Sequence, residues 1–385
     1  MSIAMTLSRR MLVGVTVSSV VVGVFAAVYV APASEAVAIQ ACNDGPAQFA
    51  SICYTELIER ILQDDGLAAA LSTVAQVSDA DAQFSRYCHS NMHDLGRSAF
   101  KLYDSHGSIA ISPELSYCGY GFYHGFMEEM FAQTGTLDGA HAFCDALGSK
   151  LSNPTMAVSN CYHGIGHGIT DGYDPRTYRN AVALAAPGLE LCAQISPDDE
   201  LHRSCALGVF NSVELMFEDS ESKLVLTDGP FSLCAEPYTE LEKDSCYLEM
   251  SILSVTLNHG DLDASFESIR SVEPEYLSRS AKYISLFLIG QNRTAKDILA
   301  ACKNRYDHIV DDCIRGITVG LIKYGAPKHE YDEAIVFCGS NELNARERDV
   351  CAVTFVTNDS YTPADRYAAC KRLPTELRPP LCTRV

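Results

Sequence analysis

The sequence predicts an all-α protein of stacked helix hairpins, α-solenoid-like, stapled by local disulfides. Three observations carry that expectation. Sixteen cysteines fall into neighbouring pairs, apolar stretches of helical period flank each pair, and glycines recur in phase with the second cysteine. A chain of 385 residues can bury a substantial core without cross-links. A reducing cytosol would leave so many thiols unpaired, so the cysteines point to an oxidising, extracytoplasmic compartment.

The N-terminus agrees. Arg9 and Arg10 precede an uncharged run from Met11 to Ser34, and Ala31-Pro32-Ala33 and Ala36-Val37-Ala38 resemble signal-peptidase sites. Residues 1–38 therefore read as a signal peptide or as an N-terminal membrane anchor, since the run also reaches the roughly 20 residues a bilayer needs. The stretch "SRRMLV" is also similar to a twin-arginine signal, with Leu12 where Phe is usual. The expected location is periplasmic, secreted or membrane-tethered. Any membrane contact is expected through this segment only, because no later apolar run reaches spanning length.

The net charge of −20, with no basic block after the leader, excludes nucleic acid and anionic lipid as partners. The chain lacks a Gly-x-Ser-x-Gly elbow, a phosphate loop, a dinucleotide fingerprint and a Cys-x-x-Cys-His haem motif.

The pairs are Cys42/Cys53, Cys144/Cys161, Cys192/Cys205, Cys234/Cys246, Cys302/Cys313, Cys338/Cys351 and Cys370/Cys382, with Cys88/Cys118 as a wider eighth. The first cysteine usually ends an amphipathic stretch, as in "GAHAFC" and "DEAIVFC". A polar or Pro-containing segment follows, and the second cysteine is expected to open a returning helix. Cys118, Cys161, Cys205 and Cys313 are each followed three positions later by glycine: Gly121, Gly164, Gly208 and Gly316. Glycine costs about 1 kcal/mol in a helix interior relative to alanine. Its recurrence on one face therefore predicts that neighbouring helices approach closely.

This layout resembles the Sel1-like and tetratricopeptide helical repeats, especially their cysteine-stapled secreted relatives. The resemblance is architectural, covers most of the chain from Cys144 onward, and includes neither family's consensus. It implies a concave groove that takes a protein or peptide partner. The polar, turn-rich segment 219–232 suggests a soft boundary between an N-terminal histidine-bearing half, 39–218, and C-terminal disulfide-stapled repeats, 219–385.

Five of the eleven histidines sit in three cysteine-led stretches: "CHSNMHDLG", "CGYGFYHGFMEE" and "CYHGIGHG". His89 and His93, His124 and Glu128, and His163 and His167 are each four residues apart, so on a helix each pair shares a face. Paired ligands at that spacing can grip one metal ion. Counted from the second cysteine, position plus six is His124, then His167, Asn211, Ile252 and Val319, which confines the polar cluster to the first three units.

Imidazoles with one carboxylate suit a transition metal such as zinc, copper or iron rather than calcium. The expected ligands are His89, His93, His124, His163 and His167, with Glu128 as a further ligand or general base. Two alternatives stand beside this reading: a hydrogen-bonded polar core, and a metal-free interaction scaffold. The other histidines, among them His259, His308 and His329, read as turn or surface residues.

Overall fold

The computed structural model describes residues 35–384 except 45–46, 107–108, 135–136, 153, 172–178, 197, 219–223, 227, 326–328, 330 and 358–362. Residues 1–34 of the expected leader and the start of the expected boundary segment thus lie outside the described residues. Among the described residues, seventeen α-helices are joined by short 3-10 turns, and no β-sheet forms. No described helix is long and apolar enough to cross a membrane.

All eight expected disulfides are present. Cys42–Cys53 ties α1 (Glu35–Asn43) to α2 (Ala47–Asp65). After α3 (Leu67–Ala80), Cys88 of α4 (Ala82–His106) is bonded to Cys118, at the turn that leads into α5 (Gly121–Thr134). Cys144–Cys161 joins α6 (Asp138–Lys150) to α7 (Thr155–Asp171), and Cys192–Cys205 joins α8 (Ala181–Ile195) to α9 (Asp199–Glu218). Cys234–Cys246 ties the 3-10 turn Pro230–Ala235 to α10 (Glu240–Leu257). Beyond α11 (Leu262–Glu267) and α12 (Leu277–Gly290), Cys302–Cys313 links α13 (Ala295–Arg305) to α14 (Val310–Lys323). Cys338–Cys351 links α15 (Asp332–Cys338) to α16 (Ala345–Val356), and Cys370 of α17 (Pro363–Arg372) reaches Cys382. Seven of these bridges close loops of eleven to seventeen residues. In the chain-entropy view a 15-residue loop contributes about 3 kcal/mol.

One local expectation needs correction. The second cysteine does not open its helix. Cys161, Cys205, Cys246 and Cys351 are each the seventh residue of theirs. The helices start earlier because the polar segments supply caps. Thr239 with Glu242 and Asn344 with Glu347 form reciprocal capping boxes, satisfying backbone N–H groups that a first turn leaves open. At α5 the cysteine instead stands outside the helix, with Cys118 and Tyr120 at φ 54° and 69°.

Helices α4, α5, α7, α9, α10, α12, α14 and α16 each pack on the next, making one row that the other helices flank. The in-phase glycines set the spacing. A Cβ at Gly208 would collide with the carbonyl oxygen of His163 on α7, and one at Gly316 with that of Lys282 on α12. Phe122, Phe126, Phe210 and Phe355 fill the row's interior with no exposed surface. Burying a side chain of that size stabilises by about 1.5–3 kcal/mol.

Candidate metal centre

The row places the three histidine-bearing helices side by side. His89 and His93 come from α4, His124 and Glu128 from α5, and His163 and His167 from α7. Because glycines let these backbones touch, the imidazoles meet across the helix boundaries. Ring centroids lie 5.0 Å apart for His93 and His124, 4.5 Å for His124 and His163, and 5.0 Å for His124 and His167. All five predicted ligands converge, and Glu128 lies beside them. His93, His124, His167 and Glu128 are buried.

Two triads emerge, His89–His93–His124 and His124–His163–His167. In each, one ligand atom per residue lies within 4.8 Å of the others. His124 belongs to both. His93 Nε2 is 3.2 Å from His89 Nε2 and 3.2 Å from His124 Nδ1. Nitrogens bound tetrahedrally to one ion, with bonds of about 2.0–2.1 Å, stand about 3.3 Å apart, so this spacing matches that of ligands. His124 Nε2 and His167 Nε2 are buried with no hydrogen-bond partner.

The opposite nitrogens are tied. His89 Nδ1 is 3.0 Å from the carbonyl oxygen of Cys118, and His93 Nδ1 is 3.1 Å from Glu128 Oε1. His167 Nδ1 lies 3.0 Å from Ser212 Oγ and 3.6 Å from Glu128 Oε1. Acceptors at Nδ1 hold the proton there and leave Nε2 bare, which is how outer groups orient the imidazoles of metal sites. Arg97 anchors Glu128 from the far side at 2.6 Å.

The electrostatics favour neutral rings. Burial, then the neighbouring His93, lowers His89 to about 4. Burial lowers His167 to about 4 against the pull of Glu128. Burial and the surrounding imidazoles push His124 and His163 well below the usual histidine range. For Glu128, burial alone would raise the carboxyl, but the His93 hydrogen bond, the electrostatic pull of the His167 and His93 rings and the Arg97 guanidinium outweigh it and hold the group at about 2. A carboxylate beside neutral imidazoles is the protonation pattern that metal binding requires.

Sequence reasoning placed Asn211 beside this centre and missed several other groups around it. Arg97 and Ser212 belong to it, and so does a polar chain on the C-terminal side. Asn211 donates from Nδ2 to Glu249 Oε2 at 2.9 Å, and its amide acts electrostatically on His163 and His167. The signal for Glu249 was available: it stands three positions after Cys246, where four other units carry glycine. Glu214 of α9 is buried as well. His259 sits in a turn at φ 51°, and His329 is a surface residue paired with Asp332 at 2.8 Å, both as expected.

Fold and site together define a disulfide-stapled all-α protein with an imidazole cluster able to hold a metal ion, and its bridges call for an oxidising environment. Comparison of the chain with protein-family models, with curated proteins and with solved structures gave no match.

Proposed function

We propose that this protein binds a transition-metal ion, zinc, copper or iron, through His89, His93, His124, His163 and His167. We further propose that it works outside the cytoplasm, with residues 1–38 as its export signal or membrane anchor. The observation that carries the metal reading is the pair of buried, partnerless Nε2 atoms on His124 and His167, within a cluster where Nδ1 of His89, His93 and His167 each faces a fixed partner. A buried polar atom without a partner costs about 1–3 kcal/mol, and a bound cation removes that penalty at both rings.

In this reading Glu128 orients His93 and His167, because its two oxygens already face those rings and Arg97. A triad of imidazoles leaves a further coordination position. A metal there supplies either an acidified water for hydrolysis or a redox centre.

The test is elemental analysis of protein purified with its disulfides intact, alongside the His124→Ala variant. Stoichiometric first-row metal in the wild type and its loss in the variant support the reading. Wild-type protein that stays metal-free after incubation with zinc, copper and iron salts overturns it, leaving the imidazoles as a hydrogen-bonded core of a scaffold whose groove takes a protein or peptide.

A further inference from the structure

One cation beside a cavity has no ion-pair partner among the described residues. Lys323, at the end of α14, makes no ion pair with any described residue. Its ammonium instead lies 5.2 Å from the Phe287 ring centroid and 5.5 Å from that of Tyr324. It lines a cavity of about 790 Å³ whose opposite wall holds His89, Cys118 and Tyr117, with Val74 and Ala75 of α3 alongside. That volume is typical of small-molecule sites, which bury an apolar body and fix it with a few polar groups. The walls fit this description: one ammonium, one imidazole, two tyrosines, aliphatic side chains and a disulfide. Asp79, the one carboxylate among the lining residues, is exposed.

Glu249 does not neutralise this lysine. It is the carboxylate that acts on Lys323 electrostatically, yet it is buried, hydrogen-bonded by Asn211, and pushed by burial to about 8. At neutral pH it is mostly uncharged. Lys323 is itself exposed at this wall, so an incoming anion meets an accessible, unpaired ammonium. His89 is where the imidazole cluster meets the same cavity.

We propose that this cavity binds a small organic anion, with the charged head on Lys323 and the apolar body against Tyr117, Tyr324 and Val74, presenting the rest of the molecule to the open side of the His89–His93–His124 triad. The inference rests on the metal reading for its second half, since it names what reaches that metal. Its first half, recognition by Lys323, stands without a metal.

The experiment titrates disulfide-intact protein, chelator-treated and zinc-loaded, with benzoate, with neutral benzyl alcohol and with inorganic phosphate. Saturable benzoate binding is expected in both forms. A charge-assisted contact predicts a loss of roughly tenfold or more in Lys323→Gln, and Lys323→Arg should recover most of it. Benzyl alcohol should bind weakly and ignore the substitution. Equal benzoate affinity in wild type and Lys323→Gln, or no saturable binding, overturns the proposal. Phosphate that binds as tightly as benzoate overturns the apolar half of the site. Lys323-dependent binding in protein that takes up no zinc overturns the metal centre alone, whereas zinc uptake without anion binding overturns this inference alone.

Discussion

His93 Nδ1 lies 3.1 Å from Glu128 Oε1, and Arg97 grips the other oxygen of the same carboxylate at 2.6 Å. The carboxylate thereby fixes which imidazole nitrogen is bare, and a guanidinium on the same helix as His93 fixes the carboxylate. Glu128→Gln keeps the size of the side chain but leaves Arg97 with Asp94 as its remaining counter-charge near the site and frees the amide to rotate. Loss of such an outer-shell partner lowers metal affinity by about 10–100-fold. Competition against a chelator of known affinity measures the drop, and an unchanged affinity would remove Glu128 from the site.

His124 is shared by both triads, so its removal should cost more metal than removal of either edge residue. His124→Ala is expected to abolish stoichiometric binding, whereas His89→Ala leaves the His124–His163–His167 triad intact and retains measurable binding. The disulfides do not depend on the rings. Non-reducing peptide maps of both variants should still recover Cys144–Cys161 and Cys192–Cys205.

What the sequence discloses here, and what it hides, divides along a physical line. Local spacing exposes contacts between adjacent units: every disulfide, the glycine face and all five imidazoles follow from counting residues. Helix starts were misplaced because capping by Thr239 or Asn344 decides them, not the cysteines. Contacts made across the row were hidden. Nothing in the spacing of Lys323 from Cys313 reveals that it faces His89, because a repeat period describes each step but not how the whole row curves. Glu249 was visible only as an exception, a carboxylate where a glycine recurs.

The glycine pattern makes a stability prediction of its own. At Gly208 a methyl group would run into the carbonyl of His163 and the backbone nitrogen of His167, and backbone cannot swing aside as a side chain can. Overpacking typically costs about 1–3 kcal/mol, and Gly208→Ala should reach at least that range by chemical denaturation. α9 must also move off α7, which loosens Ser212 from His167 Nδ1, so metal affinity should fall with stability. A variant as stable as the wild type would show that α7 and α9 do not approach this closely.

The cluster and its neighbour Glu249 predict how the metal-free protein responds to pH. His89 and His167 titrate near 4 in the folded chain against 6.5 unfolded, and burial lowers His124 and His163 well below 6.5 too. Between about pH 6.5 and pH 4 the unfolded chain therefore binds more protons, and stability falls as pH falls through that window. Each proton contributes at most about 1.4 kcal/mol per pH unit. Glu249 has the opposite sign. Its folded value of about 8 exceeds the unfolded 4.5, so its contribution is complete below 4.5 and is lost as pH rises toward 8. Four imidazoles outweigh one carboxyl on the acid side, and Glu249 acts alone between about 6.5 and 8, so stability should peak near neutrality. Glu249→Gln should flatten the limb from pH 6.5 to 8 while leaving the acid limb in place. Urea denaturation of chelator-treated protein at successive pH values measures both limbs. An alkaline limb that survives in Glu249→Gln would mean that the carboxyl beside Asn211 is ionised in the folded protein.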